Sequence, residues 1–343
     1  MELDKDIEII AQDIKDNKYN NATILVTGST GLIGGLIVKG FLKANKKFGL
    51  NNKILALARN EEKFNLLFRD FLGYKDLVFI KNEITETIKY SENVDYIFHT
   101  ACTTRSKDMV DFPVELITSS VCGTINILNF AKSHKAKSVV YLSSMEVYGV
   151  ANFHGKKLKE DELGCLDLTY VRNCYPESKR LNEILCKSYF EEYGLNINIA
   201  RLTQTFGAGV NLDDNRIFAL IAKKSIEGKN VVLKTSGRSS HDYCYTTDAI
   251  SALLIMAKKG YGGECYNIAN NETFSSIYDM ALMVIKKYNK KGKIIIENES
   301  TNIFSKDSKI SLDTRKIEKL GWKPKFNLME MYDKLIKYYK ETM

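Results

Sequence analysis

Several absences narrow the field before any motif is read. The seven cysteines (Cys102, Cys122, Cys165, Cys174, Cys186, Cys244 and Cys265) include no Cys-x-x-Cys pair. Their odd number and scatter exclude a disulfide framework and suit reduced thiols. His99, His134, His154 and His241 lack metal-ligand spacing, so no metal is expected. No apolar run approaches the length of about 18 residues that a membrane helix needs. The opening Met1-Glu2-Leu3-Asp4-Lys5-Asp6 lacks the basic start of a secretory signal. A soluble, cytoplasmic protein with no membrane partner is the expectation. Basic runs are short, which disfavours nucleic acid. The net charge of +8, from 50 basic and 42 acidic residues, would suit a doubly charged nucleotide. There is no repeat or low-complexity tract, and only 3 prolines, which favours one compact unit over tethered modules.

What is present begins with Thr23-Ile24-Leu25-Val26-Thr27-Gly28-Ser29-Thr30-Gly31-Leu32-Ile33-Gly34. An apolar, β-branched run reads as a buried strand, and Leu32, Ile33, Leu36, Ile37 and Val38 read as a helical face after the turn. Alone, Gly-x-x-Gly-x-x-Gly is as readily an ordinary turn. Between a strand and a helix it reads as a phosphate seat: Gly28 for the tight turn, Gly31 for close approach of backbone to pyrophosphate, Gly34 for close helix–strand packing. The helix N-terminus then faces the phosphates with free N–H groups.

An amphipathic helix is expected over residues 1–20, on Ile7, Ile10, Ala11 and Ile14. Strands at Thr23–Val26, Ile54–Ala58, Leu77–Ile80, Tyr96–Thr100, Ser138–Leu142 and Asn196–Leu202 alternate with helical stretches. Such alternation predicts a parallel, doubly wound α/β sheet. After residue 205 the pattern loosens, with helices over 216–227, 248–259, 276–288 and 328–341 and strands over 231–234 and 265–269.

The chemistry is read from a second constellation. A strand Val139-Val140-Tyr141-Leu142 runs into Ser143-Ser144-Met145-Glu146-Val147-Tyr148-Gly149, and Tyr175-Pro176-Glu177-Ser178-Lys179 opens a later helix. Tyr175 and Lys179, four apart, share a helical face. An ammonium beside a phenol lowers its pKa and makes Tyr175 a usable base. Ser144 at a strand's carboxyl end stands where ligands bind in such sheets. Tyr-x-x-x-Lys by itself carries little weight among 19 tyrosines; its place after the glycine turn and the Ser-Ser strand end gives it weight.

These stretches, with Asp95-Tyr96-Ile97-Phe98-His99-Thr100-Ala101, Gly123-Thr124-Ile125-Asn126, Asp242-Tyr243 with Asp248, and Leu320-Gly321-Trp322-Lys323-Pro324, resemble the extended short-chain dehydrogenase/reductases. The likeness is to their NAD-dependent nucleotide-sugar epimerase/dehydratase group. Arg172-Asn173-Cys174-Tyr175, Lys179-Arg180 and Thr205-Phe206-Gly207 look most like the UDP-glucuronate decarboxylase branch. The resemblance implies a Rossmann-type sheet over 21–205 and 240–270, and a smaller mixed α/β substrate-binding domain over 206–239 and 271–343. It implies a homodimer, a nucleotide-sugar substrate and a cofactor held by Gly28, Thr30, Gly31, Leu32, Ile33, Gly34, Arg59, Thr100, Ala101, Tyr175 and Lys179. It further implies that Tyr175 takes a sugar hydroxyl proton, that Ser144 bonds the same oxygen, and that Lys179 holds the nicotinamide ribose. A 4-keto sugar is the shared intermediate, and Ser144, Gln204, Arg216, Arg238 and His241 are the candidate substrate contacts.

The departures from the family pattern decide what is expected. Met145 replaces the first member of the acidic pair of dTDP-glucose dehydratases, leaving Glu146 as a candidate base at carbon 5 or an ordinary strand-end carboxylate. In an extended segment, Ser144 and Glu146 would face the same side. His241 stands where relatives carry an Arg that clamps pyrophosphate, and Gln204 where they carry Asn; Arg216 or Arg238 would supply the charge, unless Arg216 is a solvated helix residue. After the second strand, Arg59 replaces the acid that binds the NAD ribose; it could pair with the 2′-phosphate of NADP or stack on adenine. NAD is expected on the enzyme's role. The first expectation is a 4-epimerase. The alternatives are a dehydratase or decarboxylase, an NADPH-dependent reductase, and a silent nucleotide sensor.

Overall fold

A computed structural model describes residues 1–151, 155–297 and 307–343; His154 lies outside the described residues. The chain opens with helix α1 (Glu2–Asp16), which buries Ile7, Ile10, Ala11 and Ile14 at the expected spacing. Strand β1 (Thr23–Thr27) leads into α2 (Leu32–Phe48), and β2 (Lys53–Ala58) into α3 (Glu61–Leu67). Strands β3 (Leu77–Lys81) and β4 (Tyr96–His99) are followed by a short α4 (Ser106–Asp111) and the long α5 (Pro113–Ser133). Then come β5 (Ser138–Ser144), α6 (Cys174–Tyr193) and β6 (Ile197–Leu202).

These six strands and a later one form a seven-stranded parallel sheet. Both faces carry helices, so the strands are apolar almost throughout, as the runs Thr23–Thr27 and Ser138–Ser144 show. From β1 the chain passes to β2 on one side and later returns to β4 on the other. The carboxyl ends of β1 and β4 therefore flank the switch point, where such sheets form a crevice.

The second unit begins with β7 (Gln204–Phe206), α7 (Ile217–Ile226), β8 (Val231–Leu233) and β9 (Ser240–Tyr245). Helix α8 (Thr246–Lys259) and strand β10 (Cys265–Ile268) return to the large sheet, where β10 pairs with β6. They are followed by β11 (Asn270–Ser276), α9 (Ile277–Tyr288), β12 (Ile294–Ile296), β13 (Lys309–Ile310), α10 (Arg315–Glu318) and α11 (Leu328–Thr342). Strand β9 pairs with β7, β11 and β13. The segment 240–270, grouped with the large sheet from sequence, thus divides: 240–245 belongs to the second unit and 246–268 to the first. The all-buried run of β9 has no periodicity that tells which sheet will take it.

Two cores meet at Leu32, which packs against both. Helix α1 also joins the units. The Tyr245 hydroxyl donates to Asp6, and Lys334 of α11 pairs with Glu2 at 2.5 Å and with Asp6 at 3.0 Å. Helix α5 is long and apolar enough by composition alone to cross a membrane; here it buries Ile127, Leu128, Phe130 and Ala131 in a core shared with β1, β4 and β5.

Beneath the crevice lies a buried ion pair. Arg201 of β6 grips Glu183 of α6 through Nε (3.0 Å) and Nη2 (2.7 Å), and the Ser143 hydroxyl donates to the same carboxylate at 2.5 Å. Removing one partner strands a buried charge. Glu183→Ala is expected to lower folding stability by about 3–5 kcal/mol in urea unfolding; a loss below about 1 kcal/mol, the scale of an exposed pair, would contradict this account.

Candidate active site

At the end of β1 the backbone turns through Gly28 with φ +64°, a conformation that favours glycine. A Cβ on Gly28 would lie 2.7 Å from the Cα of Ala101, and one on Gly34 would lie 2.5 Å from the carbonyl oxygen of Gly28 and 2.6 Å from Thr100 Oγ1. Gly34 thus sits where α2 packs against the end of β1 and the loop after β4. Gly31 caps α2 and donates its N–H to the Gly28 carbonyl at 2.9 Å. The first turn of α2 carries no acidic residue, so its positive end is left to a ligand. This cradle, with no room for side chains and a helix N-terminus behind it, fits a dinucleotide pyrophosphate. Arg59, exposed directly after β2, stands at the same carboxyl edge.

Strand β5 ends at Ser144, whose Oγ accepts the Glu146 N–H at 3.2 Å and, beside the Tyr175 hydroxyl, favours its ionised form. Tyr175 and Lys179 lie one turn apart on α6 and are both buried. The Lys179 ammonium donates to the Leu142 carbonyl at 2.6 Å and lies 4.8 Å from the centre of the Tyr141 ring and 5.8 Å from that of Tyr175. Burial pushes the Tyr175 phenol well above its ordinary pKa, while the Ser144 hydrogen bond and the Arg172 charge oppose this. The pKa-lowering by Lys179 expected from sequence is not seen, because the ammonium is drawn to a carbonyl and an aromatic face.

Glu146 is not in an extended segment. Residues Met145–Tyr148 form a 3-10 turn capped by Ser144, so alternation of sides does not apply. Its carboxylate is instead held by Arg172, with Nη1 at 2.7 Å from one oxygen and Nη2 at 3.2 Å from the other. Sequence reasoning missed Arg172 as a site residue; the available signal was its place three residues before Tyr175. Arg172 is buried, and its Nε has no hydrogen-bond partner. Burial alone would lower its pKa, but Glu146 more than offsets this and holds it up.

From the second unit, His241 on β9 enters the electrostatic neighbourhood of Glu146. Its Nε2 meets Ser308 Oγ at 2.8 Å and its buried Nδ1 is unpartnered. Burial lowers its pKa to about 4, with Glu146 opposing, so the ring is neutral at pH 7. Gln204 on β7 pairs in register with Tyr243 on β9, and the Thr203 hydroxyl donates to the Asp242 carbonyl. Arg216 pairs with Asp214 at 2.6 Å and lies over Phe218, and Arg238 is exposed between β8 and β9. Cys102 and Cys174, with Met109 and Leu116, pack an apolar wall against Tyr175; burial raises the Cys174 thiol pKa, which makes it a poor nucleophile. His134 is structural, bonded to the Tyr90 carbonyl at 2.8 Å and stacked on Phe130. Among the described residues no cluster could hold a metal. The groups that converge, the Tyr175 and Ser144 hydroxyls and the Glu146 carboxylate, are of types that can exchange protons with a bound ligand.

Residues 24–269 match the model of the NAD dependent epimerase/dehydratase family. UDP-glucuronic acid decarboxylase 5 of Arabidopsis thaliana is 28% identical over 322 residues, covering 92% of this chain and 89% of that one. Among solved structures, UDP-glucuronic acid 4-epimerase from Bacillus cereus, with UDP-glucuronic acid and NAD, superposes with TM-score 0.78 at 21% identity, covering 94% of this chain and all of that one. A dTDP-glucose 4,6-dehydratase from Streptomyces venezuelae, with NAD bound, gives TM-score 0.77 at 20% identity over 93% of this chain and 97% of that one.

The buried neutral His241 has a measurable signature. Its folded pKa of about 4 lies below the ordinary 6.5, so between these values the unfolded chain binds a proton that the folded one does not. This residue then costs stability as pH falls from 6.5 toward 4. His241→Gln is expected to lose less stability than the wild type over that interval in paired urea unfolding curves; an equal or larger loss would show that the ring is not held neutral.

Proposed function

The chain belongs to the NAD-dependent epimerase/dehydratase family, and from that premise we propose that it oxidises a nucleotide-linked sugar at carbon 4 and then acts at carbons 5 and 6. The net reaction proposed is decarboxylation of a nucleotide-linked uronic acid. The observation that carries this reading is the Glu146–Arg172 pair beside Ser144 and Tyr175, which sets a proton-transfer carboxylate and a buried cation at the sugar end of the crevice. A substrate that bears a carboxylate gains from that cation. The likeness to UDP-glucuronic acid decarboxylases over nine-tenths of the chain supports the same choice.

Gly28, Thr30, Gly31, Leu32, Ile33 and Gly34 would hold the dinucleotide through their backbone. Arg59, Thr100 and Ala101 would line it, and Lys179 would hold the nicotinamide ribose. When bound, NAD supplies a hydride acceptor at carbon 4 and, through its oxidised ring's positive charge, a field that favours the Tyr175 phenolate. Tyr175 takes the proton of the carbon-4 hydroxyl, and Ser144 donates a hydrogen bond to the same oxygen. In the resulting β-keto acid the bond between carbons 5 and 6 breaks. Carbon dioxide leaves, and its electron pair remains as the enolate of carbons 4 and 5. Glu146 would relay a solvent proton to carbon 5, and Tyr175 would return its proton to the carbon-4 oxygen as the keto group is reduced. No net oxidation occurs. Gln204 and His241 would meet the substrate from the second unit as neutral hydrogen-bonding groups.

Plain 4-epimerisation, the expectation from sequence, is the second reading; it is favoured by the sufficiency of Ser144, Tyr175 and the cofactor for hydride removal and return. A homodimer is supported by exposed Ile117 on α5 and Leu181 and Ile184 on the adjoining α6, an apolar face suited to a second copy.

Incubation with UDP-glucuronate in deuterated water separates the readings. Decarboxylation is expected to release carbon dioxide and place deuterium at carbon 5, with Glu146→Gln stalled at the keto stage. A four-epimer free of deuterium, made equally well by Glu146→Gln, would overturn the first reading. Tyr175→Phe is expected to bind NAD and lose about two orders of magnitude in turnover under either reading; near-normal turnover would assign the proton elsewhere.

A further inference from the structure

The stretch Gly123-Thr124-Ile125-Asn126 on α5 is absorbed by none of the chemistry above, yet its side chains reach the carboxyl ends of three strands. Asn126 Nδ2 donates to the carbonyl oxygens of Ile84 (2.9 Å) and Glu86 (2.6 Å) in the loop after β3. Gly123 faces that loop, where a Cβ would lie 2.9 Å from the Ile84 side chain. Thr124, buried, lies 3.3 Å from Nε2 of His99 at the end of β4, and the other ring nitrogen lies 2.8 Å from Thr27 Oγ1 at the end of β1.

The proton positions in this chain follow from its ends. Thr124 Oγ1 donates to the Ser120 carbonyl at 2.7 Å, so toward His99 it accepts. Thr27 Oγ1 accepts the Ala101 N–H at 3.2 Å, so its own proton goes to His99 Nδ1. One neutral tautomer, protonated at Nε2, satisfies every member. His99 is also kept neutral by burial and by the nearby Lys179 charge, with its pKa lowered to about 3. The far end of the chain is the Ala101 backbone that closes on Gly28. A second branch ties α5 to the catalytic helix, since Asn182 Nδ2 on α6 donates to Ser120 Oγ (2.9 Å) and to the Tyr141 hydroxyl (3.0 Å).

We infer that Thr124 and Asn126 are positioning residues of the dinucleotide seat: from one turn of α5 they pre-order the β1 turn, through His99 and Thr27, and the β3 loop, through its carbonyls. Neither touches the cofactor in this role. Each removes loop freedom that cofactor binding would otherwise have to remove, and affinity falls in proportion when the competent arrangement is less populated. The inference rests on the dinucleotide reading of the crevice and is independent of which sugar is used.

The test is NAD+ binding to purified full-length variants by calorimetry, with thermal unfolding of the NAD-free proteins measured alongside. Asn126→Asp keeps size and shape but replaces the donor by a carboxylate that repels both carbonyls. Asn126→Asp and Asn126→Ala are expected to weaken NAD+ binding about tenfold or more, which corresponds to a competent population cut to about a tenth. Thr124→Val, which leaves the His99 N–H without an acceptor, is expected to weaken it several-fold, and Thr124→Ser to restore it. The inference is overturned if Asn126→Asp binds NAD+ like the wild type, or if affinity losses across the set merely follow losses of thermal stability. Failure of the wild type itself to bind NAD+ would instead overturn the dinucleotide reading.

Discussion

The backbone contact between the ends of β1 and β4 is the constraint on which the site depends. Gly28 and Ala101 approach so closely that a Cβ on Gly28 would lie 2.7 Å from the Ala101 Cα, and Gly34 sits under the Gly28 carbonyl with no room for one either. Side chains are excluded there, so what faces the crevice is backbone N–H and the start of α2, the groups that recognise an anion without supplying a formal charge. The parallel sheet brings β5 alongside β4 in register, His99 opposite Tyr141, so Ser144 emerges on the same edge. Helix α6 then needs only its one-turn spacing to present Tyr175 and Lys179.

The electrostatics of this edge are set by burial and by close partners. Tyr175 is protonated, because burial outweighs the help it receives from Ser144 and Arg172. Lys179 is directed to a carbonyl, Glu146 is clasped by Arg172, and His241 is neutral. The positive charge of an oxidised nicotinamide, were it bound here, would favour the Tyr175 phenolate.

Much of this was legible in the chain. Runs such as Thr23–Thr27 and Ser138–Ser144 announce buried parallel strands because both faces of the sheet are covered. The interval between Tyr175 and Lys179 fixes a common helical face. What stayed hidden depends on contacts between distant residues. Glu146 and Arg172 are 26 positions apart, and their pairing follows from how the intervening excursion folds back. The partners of β9 could not be chosen from an unbroken buried run. Arg216 and Arg238 were candidates to supply the charge that His241 lacks toward a substrate's phosphates; Arg216 pairs with Asp214 and Arg238 is exposed. Thr124 and Asn126 stood in a recognisable motif, but the carbonyls and ring they hold lie about 25 to 40 positions away.

The central claim is that a sugar is oxidised and reduced again within one turnover, with the nicotinamide as transient acceptor. Stopped-flow absorbance of NAD-loaded protein mixed with UDP-glucuronate reads this directly. The account requires absorbance from reduced nicotinamide to rise and then return to its starting value as product forms. Product formed with no such transient, or reduced cofactor that accumulates one-for-one with product and never returns, would contradict it.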